Sequence, residues 1–521
     1  MINRKPQLRD INPRLCALVM FALPAVLALQ ARQSDDEPCR FVDICAFGGI
    51  GGANPIGPPV GGWGCQWFGV TQTGKSASRY GLIYKLWLTN RNDEESFDVE
   101  KIYSFTGGGP GAYPATGLTL LGNKFWGATS SDGANDFGTL YSINTNGAGF
   151  APRLSFSRIV GTFPLSMIGG PDGNLYGVAG SGGSSTNGTV FEGDLKGGAF
   201  HWGFGGDGKA TYNFGPASGE NPSGRLTLGS FNPITNGAQP ILPLYGVTSF
   251  GGTNGSGASG DGTVYKLGSN GSGFQSLHVF STQFSADGFL PMGGMALADN
   301  MLYGTTSGGG SNYTGTVFKM DTNGNSYTVL RHFSSAIYNP DTLSVTNSDG
   351  DSPQGDLILS RNLLFGTTYD GGPKGGGTVW SMNTNGNDFR VLHSFGTPQF
   401  DASKSIYTNR GGGWLKAGVT LSGHTLLGAT SSGGTNGSGT LFAIILPTPP
   451  PPIHIARSGG NVDISWPSHA TNFVLQVNSD LATTNWSGFR GAVNDNGTNK
   501  IVSIVPTART AFFRLMNTNA P

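Results

Sequence analysis

Aromatic rings and carboxylates stand among asparagines and serines in the long connecting segments of the second half of the chain. The candidate ligand-binding residues there are Tyr338, Asp349, Asp351, Phe400, Tyr407 and Trp414. Such rings stack on flat neutral ligands such as sugars, while the carboxylates accept hydrogen bonds from hydroxyl groups. The pattern predicts a glycan-binding surface. Packing of the rings onto the protein itself is the alternative interpretation.

The acidic loop at residues 349–351 is compatible with two further kinds of chemistry. It is a candidate calcium site, since Ca²⁺ takes oxygen ligands, and a candidate place for the carboxylate pair of a glycoside hydrolase. No Asp or Glu recurs in the repeat described below, and no H-E-x-x-H or G-x-S-x-G motif occurs. The sequence therefore favours a protein that is not an enzyme and has no catalytic residue. It predicts no metal ligand and no cofactor, with a bound calcium ion as the alternative. A buried pair of carboxylates would instead indicate an enzyme, and the candidates for such a pair are Asp341, Asp349, Asp351 and Asp401.

The charge balance narrows the class of partner. Lys and Arg together number 31, equal to the 31 of Asp and Glu, and charged residues make up only 12% of the chain. This composition predicts no positively charged surface to which a nucleic acid or an anionic membrane would bind. The expected partner is a glycan or a cell-surface protein, and the expected state is a monomer.

The amino-terminal segment has the composition of a signal peptide. Basic residues precede an apolar run at residues 15–29, which Pro24 interrupts, and a polar acidic stretch begins near Ser34. The run is too short for a comfortable membrane span. We therefore expect residues 1–31 to be a signal peptide, no transmembrane segment after its cleavage, and a secreted or cell-surface protein.

Three cysteines follow this segment: Cys39, Cys45 and Cys65. In an oxidising compartment one disulfide to Cys65 is expected, with either of the other two cysteines as its partner. Three buried thiols are the alternative interpretation. A zinc site is disfavoured because no histidine lies near the cysteines in sequence.

A repeat with two glycines in each unit organises residues 41–446. The second glycine follows the first after eleven residues in five units, twelve in one and sixteen in one. Repeats of this length that read as strands throughout predict a propeller. The glycine pairs are Gly69 and Gly81, Gly127 and Gly138, Gly177 and Gly188, Gly246 and Gly262, Gly304 and Gly315, Gly366 and Gly377, and Gly428 and Gly439.

Each unit contains four predicted strands, which we call A, B, C and D in chain order. Strand B carries the first glycine, strand C begins at the second, and a turn such as Asn323-Gly324 joins C to D. Asn and Gly tolerate the positive φ of a tight hairpin. The glycine inside strand B predicts close packing of one blade on the next. The connections from D to the next A vary most in length, and they are expected on one face of the propeller.

The last unit ends after strand C at Leu446 and has no strand D of its own. Phe41 and Phe47 have the same separation as Phe389 and Phe395, which bracket a strand D. We therefore predict that the amino-terminal strand completes the seventh blade, because closure pairs an otherwise exposed sheet edge. The expected fold is all-β, with a seven-bladed β-propeller over residues 41–446.

A different pattern follows a proline-rich linker at residues 447–452. Val462, Ile464 and Trp466 alternate with polar residues, and further short apolar strands continue toward residue 521. This alternation predicts a small β-sandwich over residues 453–521, of the fibronectin type III or immunoglobulin-like kind.

The combined motif of the repeat resembles a known family. Leu-Tyr-Gly-Thr-Thr, Gly-Thr-Val-Phe, Asn-Gly and a pair of aromatics six residues apart are similar to the GloVer tandem repeat of secreted and surface bacterial proteins. The resemblance covers residues 41–446 and implies an exported, propeller-like protein, and it supplies no catalytic residues. The C-terminal segment resembles the fibronectin-like ends of verrucomicrobial secreted proteins.

Three functions stay open at this point. The first hypothesis is an exported, non-enzymatic repeat protein that binds glycan or protein ligands through the loop-bearing face. The second is an extracellular carbohydrate-active enzyme, a hydrolase or lyase, with its carboxylates in the variable loops. The third is a structural surface protein without a ligand.

Overall fold

Strands are the regular secondary structure of this chain wherever its structure is described. Every element of regular structure in the computed structural model is a strand, and no helix in these described residues is long and apolar enough to cross a membrane. The structure describes residues 16–19, 29–32, 39–48, 52–62, 66–74, 79–91, 94–194, 201–202, 210–230, 241–253, 260–281, 286–340, 344–403, 406–447, 451, 453–468, 470, 473–479, 485–505 and 511–517.

Contacts divide the chain into two units. One is formed by Phe41–Ile445, and the other by Met1–Arg40 together with Leu446–Pro521. Several predictions fall outside the described residues: most of the signal peptide and the linker, Cys65 and Asp341. The proposed disulfide among Cys39, Cys45 and Cys65 accordingly stays a prediction. Within the described part of the signal segment, Cys16–Val19 pairs with Leu29–Arg32.

The larger unit contains seven antiparallel sheets of four or five strands in its described residues, which we number 1 to 7. Sheet 1 comprises Gly52–Gly61, Gln66–Gly74, Leu82–Arg91 and Glu94–Ser104; sheet 2, Ala112–Pro114, Thr119–Leu121, Lys124–Ser131, Thr139–Asn144 and Ala151–Ser155; sheet 3, Thr162–Gly169, Leu175–Ser181, Thr189–Asp194, His201–Trp202 and Tyr212–Asn213. Sheet 4 comprises Glu220–Leu228, Pro243–Phe250, Thr263–Gly268 and Gln275–Val279; sheet 5, Ala296–Ala298, Met301–Thr306, Thr316–Asp321 and Thr328–His332; sheet 6, Ile358–Ser360, Leu363–Thr368, Gly375–Asn383 and Arg390–Gly396; sheet 7, Thr420–Ser422, Thr425–Thr430, Thr440–Ile445 and Arg40–Ala46.

The amino-terminal strand Arg40–Ala46 is the outer strand of sheet 7, beside Thr440–Ile445. The Phe47 N–H continues the pairing by donating to the Gly439 carbonyl, at 2.9 Å. The Phe47 ring also packs against Tyr84 of sheet 1, with 5.3 Å between ring centroids. The first described strand of the larger unit therefore occupies the place that the spacing of Phe41 and Phe47 predicts.

The glycine of strand B has a different cause from the predicted one. Gly304 lies directly opposite Phe318 on strand C of the same sheet, and a Cβ on Gly304 would stand 2.4 Å from the Phe318 ring. Gly428 and Phe442 repeat this arrangement. The prediction of close packing between blades was wrong, because the ring that excludes a Cβ belongs to the neighbouring strand of the same sheet.

A second recurring feature joins one sheet to the next. A non-glycine residue with positive φ stands near the start of each sheet, and proline follows it in six of the seven cases: Asn54, Tyr113, Phe163, Asn221, Leu290, Ser352 and Trp414. The Tyr113 N–H donates to the Tyr80 carbonyl of the preceding repeat at 2.9 Å, and Asn54 donates in the same way to Ser438 at 3.0 Å. Sheet 7 thus meets sheet 1 through the same contact that joins consecutive sheets.

In the carboxyl-terminal part of the smaller unit, the described residues form two sheets that share a core. One is ordered His454–Ser458, Asn461–Pro467, Asn499–Ile504, Asn494–Asp495, and the other Ser487–Gly488, Phe473–Asn478, Phe512–Asn517. Buried side chains from both sheets pack together, among them Trp466 and Val502 from the first and Leu475 and Phe513 from the second. Alternating apolar residues therefore place one face of each sheet in a common core.

Candidate functional site

Two small hairpins project from the long connections between sheets. Ile337–Asn339 pairs with Ser344–Thr346 between sheets 5 and 6, and Gln399–Asp401 pairs with Ile406–Thr408 between sheets 6 and 7. We call them the 337–346 and the 399–408 hairpin. Both have the same register, in which Tyr338 faces Val345 and Phe400 faces Tyr407. The variable connections from strand D to the next strand A thus carry the predicted rings.

The same asparagine anchor holds each hairpin. The Asn409 side-chain amide donates to the carbonyls of Gly396 and Gly412 at 2.7 and 2.9 Å, and its oxygen accepts from the N–H groups of Gly412 and Gly434 at 2.7 and 3.1 Å. Asn347 makes the four corresponding bonds at 2.7–2.8 Å. One side chain satisfies four backbone groups, so the base of each hairpin is fixed.

The rings of the 399–408 hairpin continue onto the protein body as a row. Phe400 and Tyr407 lie with their ring centroids 5.3 Å apart, and Tyr407 meets Trp414 edge-on at 5.7 Å. Trp414 then stacks beside Tyr369 at 6.4 Å with an interplanar angle of 18°. Phe400 is 56% exposed and Tyr407 is 42% exposed, so part of the row faces solvent.

Backbone geometry places Trp414 in this row. Its φ is +60°, its N–H donates to the Gly376 carbonyl of sheet 6 at 2.9 Å, and its carbonyl accepts from the Ser431 N–H at 3.1 Å. These two bonds fix an unfavourable backbone conformation for a bulky residue. Trp414 occupies the position that links sheets 6 and 7, so its ring is held at the boundary between them.

A pair of carboxylates lies beside the row. Asp351 and Asp370 face each other in an antiparallel bridge, with N–H to carbonyl distances of 2.8 and 3.1 Å. Side chains of such a directly opposed pair lie on the same side of a sheet. The Trp414 side chain donates a hydrogen bond to the Asp370 carboxyl. The bridge therefore brings two acids together under an indole ring.

Burial, joined at Asp370 by repulsion from Asp351, keeps these carboxyls from ionising at their ordinary pH. Burial, and then the charge of Asp351, raises the pKa of Asp370 to about 6 despite the hydrogen bond from Trp414. Burial also raises the pKa of Asp351, opposed by hydrogen bonds from Ser352. Burial, and next the charge of Asp370, raises the pKa of the Tyr369 hydroxyl. A cation between these groups would relieve the repulsion.

We call this group the sheet 6–7 site, and it includes four of the six residues predicted from the sequence. Asp351, Phe400, Tyr407 and Trp414 converge there. Tyr369 and Asp370 complete it, although sequence reasoning missed them. The sequence contained two signals. The seven repeats have Ser or Gly at most positions equivalent to 369 and 370. At the position of Trp414 and Leu415, the other six repeats have a residue followed by proline.

The other two predicted residues lie elsewhere. Asp349 is 2% exposed and forms an ion pair with Arg331, while its Oδ1 accepts from the Ser334 N–H at 2.9 Å. Its carboxylate is already paired, so it does not act with Asp351. Tyr338 is 59% exposed on the 337–346 hairpin, apart from the ring row.

Two of the carboxylates named above as a possible enzymatic pair, Asp349 and Asp401, have other hydrogen-bond partners. Asp401 caps its own hairpin, accepting from the Ser403 N–H at 3.0 Å. No group of three or more His, Cys, Asp or Glu side chains suitable for a metal ion occurs among the described residues. The calcium alternative for the 349–351 loop stays a prediction, which the ion pair of Asp349 with Arg331 disfavours.

A cavity of about 350 Å³ is a second concave feature of the larger unit. All seven sheets contribute to its lining, through residues in or next to one of their first two strands. Its charged residues are Arg225, Asp356 and Lys416. Oδ1 of Asp356 accepts from the backbone N–H groups of Arg225 and Gly294 at 3.2 and 2.6 Å. No aromatic ring of the described residues lines this cavity, so that lining lacks the feature that predicts sugar stacking.

Comparison with known sequences identifies the repeat. The Gloeobacter/Verrucomicrobia repeat matches residues 41–239 and again residues 243–449. The chain belongs to this family. The match confirms the resemblance that the glycine and Asn-Gly motifs indicate, and the two copies together span all seven sheets. No protein with curated annotation matches the chain.

Similarities to solved structures are distant. A puromycin hydrolase shares 11% identity and a TM-score of 0.41, over 87% of this chain and 57% of that chain. The extracellular domain of a hybrid two-component system from B. thetaiotaomicron shares 10% identity and a TM-score of 0.42, over 94% of this chain and 58% of that chain. A gluconolactonase from Xanthomonas campestris shares 13% identity and a TM-score of 0.35, over 78% of this chain and 100% of that chain. The chain thus spans less than two thirds of the first two.

Proposed function

We propose that this family member is an exported, non-enzymatic glycan-binding protein, and that the sheet 6–7 site holds the glycan. The observation that carries the proposal is the continuous ring row from Phe400 through Tyr407 and Trp414 to Tyr369. Sugar rings present apolar C–H faces that stack on aromatic rings. Asp351 and Asp370 lie beside the row and can bond to sugar hydroxyls.

The scaffold for this site is, in our proposal, a closed seven-bladed propeller. Three features support it: Arg40–Ala46 completes sheet 7, Asn54 bonds to Ser438 as Tyr113 bonds to Tyr80, and one cavity is lined from all seven sheets. A closed ring leaves no long exposed sheet edge. It holds the 337–346 and 399–408 hairpins on one rigid face.

Export supports the same function. The proposed signal peptide at residues 1–31 would carry the chain out of the cytoplasm, where glycans of cell surfaces and matrices are accessible. The fibronectin-like assignment of residues 453–521 makes the smaller unit a spacer or attachment module in this proposal. Partners other than a glycan would be cell-surface proteins.

A second candidate function is hydrolysis of the bound glycan. Asp370 favours it, because a carboxyl with its pKa raised to about 6 stays protonated at mildly acidic pH and can protonate a leaving oxygen. Asp351 would then accept the proton of the attacking water. Release of reducing sugar between pH 4 and pH 7 would support this function, and its loss in Asp370→Asn would assign the acid.

The experiment that tests binding uses matched rings on the two hairpins. Purified residues 34–521 are applied to an array of neutral and charged oligosaccharides, and the best ligand is then titrated by calorimetry. We expect Tyr407→Ala to weaken binding roughly five- to tenfold, since one aromatic contact contributes about 1 kcal/mol. Tyr338→Ala removes a similarly exposed ring from the equivalent hairpin and should leave the affinity unchanged.

Two results would contradict the proposal. Absence of binding to every glycan on the array would leave only a protein partner or a structural role. Equal losses in Tyr407→Ala and Tyr338→Ala would mean that the ligand does not use the ring row. Circular dichroism and thermal unfolding of both variants distinguish a lost contact from a lost fold.

A further inference from the structure

The sheet 6–7 site combines two features that neutral sugars do not require together. One is the ring row, and the other is a pair of partly buried carboxylates whose backbones are bonded to each other at 2.8 and 3.1 Å. A single acid suffices to bond a hydroxyl. Asp370 is hydrogen-bonded to the Trp414 indole and its charge acts on the Tyr369 phenol. Paired acids beside such rings attract an ammonium group, by charge and through the ring faces.

Among the described residues, no basic side chain is one of the groups that shift the pKa of either carboxyl. Among the described residues, the groups that act on Asp370 are Asp351 and Trp414, and the group that acts on Asp351 is Ser352. Three basic residues of neighbouring segments act on other groups: Arg331 pairs with Asp349, Arg410 acts on Asp43 and Lys374 acts on His393. A site that concentrates negative charge without a protein cation favours a cationic ligand.

The equivalent bridges of the neighbouring repeats do not have this pair of acids. At the equivalent bridge before sheet 5, Phe289 faces Gly308, and at the bridge before sheet 7, Gly413 faces Ser432. Only the bridge before sheet 6 places an acid on both strands, as Asp351 and Asp370, among these three bridges. The acids therefore are not needed to form the bridge, and the fold is compatible with uncharged residues at both positions.

We propose that the sheet 6–7 site selects glycans that carry a free amino group, such as polymers of glucosamine, over their N-acetylated counterparts. The proposal rests on the proposed glycan-binding function and names its ligand class. The sugar rings stack on Tyr407 and Trp414, and the ammonium group lies between the carboxylates of Asp351 and Asp370. An N-acetyl group would place a neutral amide against two acids and lose this attraction.

The test compares two probes that differ at each sugar in whether the amino group is free or acetylated. Glucosamine oligomers and N-acetylglucosamine oligomers of equal length are titrated into residues 34–521 by calorimetry, above pH 6. We expect the free-amine oligomer to bind roughly tenfold more tightly. Added salt should reduce this preference, because screening weakens the charged contact.

Asp370→Asn keeps the shape of the side chain and removes its charge. The preference for the free amine should fall to roughly onefold or twofold, while stacking retains binding of the N-acetylated oligomer. Asp299→Asn is the matched control. It removes one exposed carboxylate from the A–B turn of sheet 5, at the other end of the strands, and should leave the preference intact.

Acidification gives an independent readout. As pH falls through about 6, Asp370 takes up a proton while the ligand amine becomes more fully charged. Loss of preference in this range therefore reports the protein carboxyls, with Asp351 and Tyr369 as their titratable neighbours, because the ligand's own titration would increase the preference.

The outcomes separate this inference from the function on which it rests. Equal affinity for the two oligomers, or a preference that persists in Asp370→Asn, overturns the amino-sugar assignment and leaves glycan binding standing. Binding of other glycans with neither oligomer bound has the same meaning. A blank array overturns both. Tighter binding of the free amine that depends on both Asp370 and Tyr407 supports both.

Discussion

The 337–346 and 399–408 hairpins are the same structural insertion with different surroundings. Both follow a strand D, both have the same register, and Asn347 and Asn409 hold them with the same four hydrogen bonds. Only the second hairpin joins a ring row, through Tyr407 and Trp414. At the corresponding positions the first has Val345 and Ser352. The fold supplies the support, and a few side chains decide whether that support becomes a binding site.

The largest expected effect tests whether the two hairpins have equal support. Asn347→Ala and Asn409→Ala each leave four backbone groups without their partner, of which some regain water. We expect each change to lower the free energy of unfolding by roughly 2–4 kcal/mol. Denaturant unfolding measures this. A large loss for one variant and none for the other would show that the anchors are not equivalent.

The next effect tests whether a ring row is sufficient for binding a neutral oligosaccharide. Val345→Tyr with Ser352→Trp, made together with Tyr407→Ala, would build a ring pair on the first hairpin while the native row is interrupted. We expect roughly threefold to fivefold recovery of binding to a neutral oligosaccharide, because stacking contributes about 0.5–1.5 kcal/mol. Val345→Tyr with Tyr407→Ala, without the tryptophan, is the control. No recovery would mean that the acids are essential for any sugar.

A smaller effect is expected in the pH dependence of stability, because only the second hairpin lies beside the raised pKa of Asp370. The folded pKa of Asp370 is about 6, above its ordinary 3.8, so the protonated carboxyl stabilises the fold below pH 3.8 and this stabilisation is lost as pH rises through 6. Asp370→Asn should remove that dependence and gain about 1 kcal/mol over wild type near neutral pH, after allowing for solvent screening. Unfolding midpoints across pH 4 to 7 measure it, and a parallel pH profile for the two proteins would contradict the assignment.

The smallest effect is expected for the isolated ring. Tyr338→Ala should change the free energy of unfolding by less than about 0.5 kcal/mol, since a solvent-exposed side chain away from special contacts contributes little. A larger loss, measured by denaturant unfolding, would mean that Tyr338 packs against a part of the chain outside the described residues. The two hairpins would then resemble each other more closely than their rings indicate.

Local sequence signals predicted most of the fold. Paired glycines and Asn-Gly turns mark strands B, C and D because each demands a specific backbone angle or a small side chain. The spacing of Phe41 and Phe47 predicted the outer strand of sheet 7. The reason for the glycine in strand B could not be read from one strand, since Phe318 stands opposite Gly304 only once the register is known.

The site could be predicted only in part, for a similar reason. Phe400, Tyr407 and Trp414 lie in one long connection, so composition alone brings them together. Asp351 and Asp370 are separated by a whole hairpin, and only the bridge between them places their carboxyls side by side. The ion pair of Asp349 could not be foreseen, because its partner Arg331 lies on strand D of the previous sheet.

The position of Arg40–Ala46 has a consequence for how the chain reaches its native state. This strand is the first described strand of the larger unit to be synthesised, yet its partner Thr440–Ile445 follows about four hundred residues later. Bringing such distant segments together costs loop-closure entropy, and the sheet that contains them is expected to form last. A nascent or truncated molecule would meanwhile present an unpaired edge, and the final docking of the earliest-made residues would serve as a check that the whole repeat array is complete.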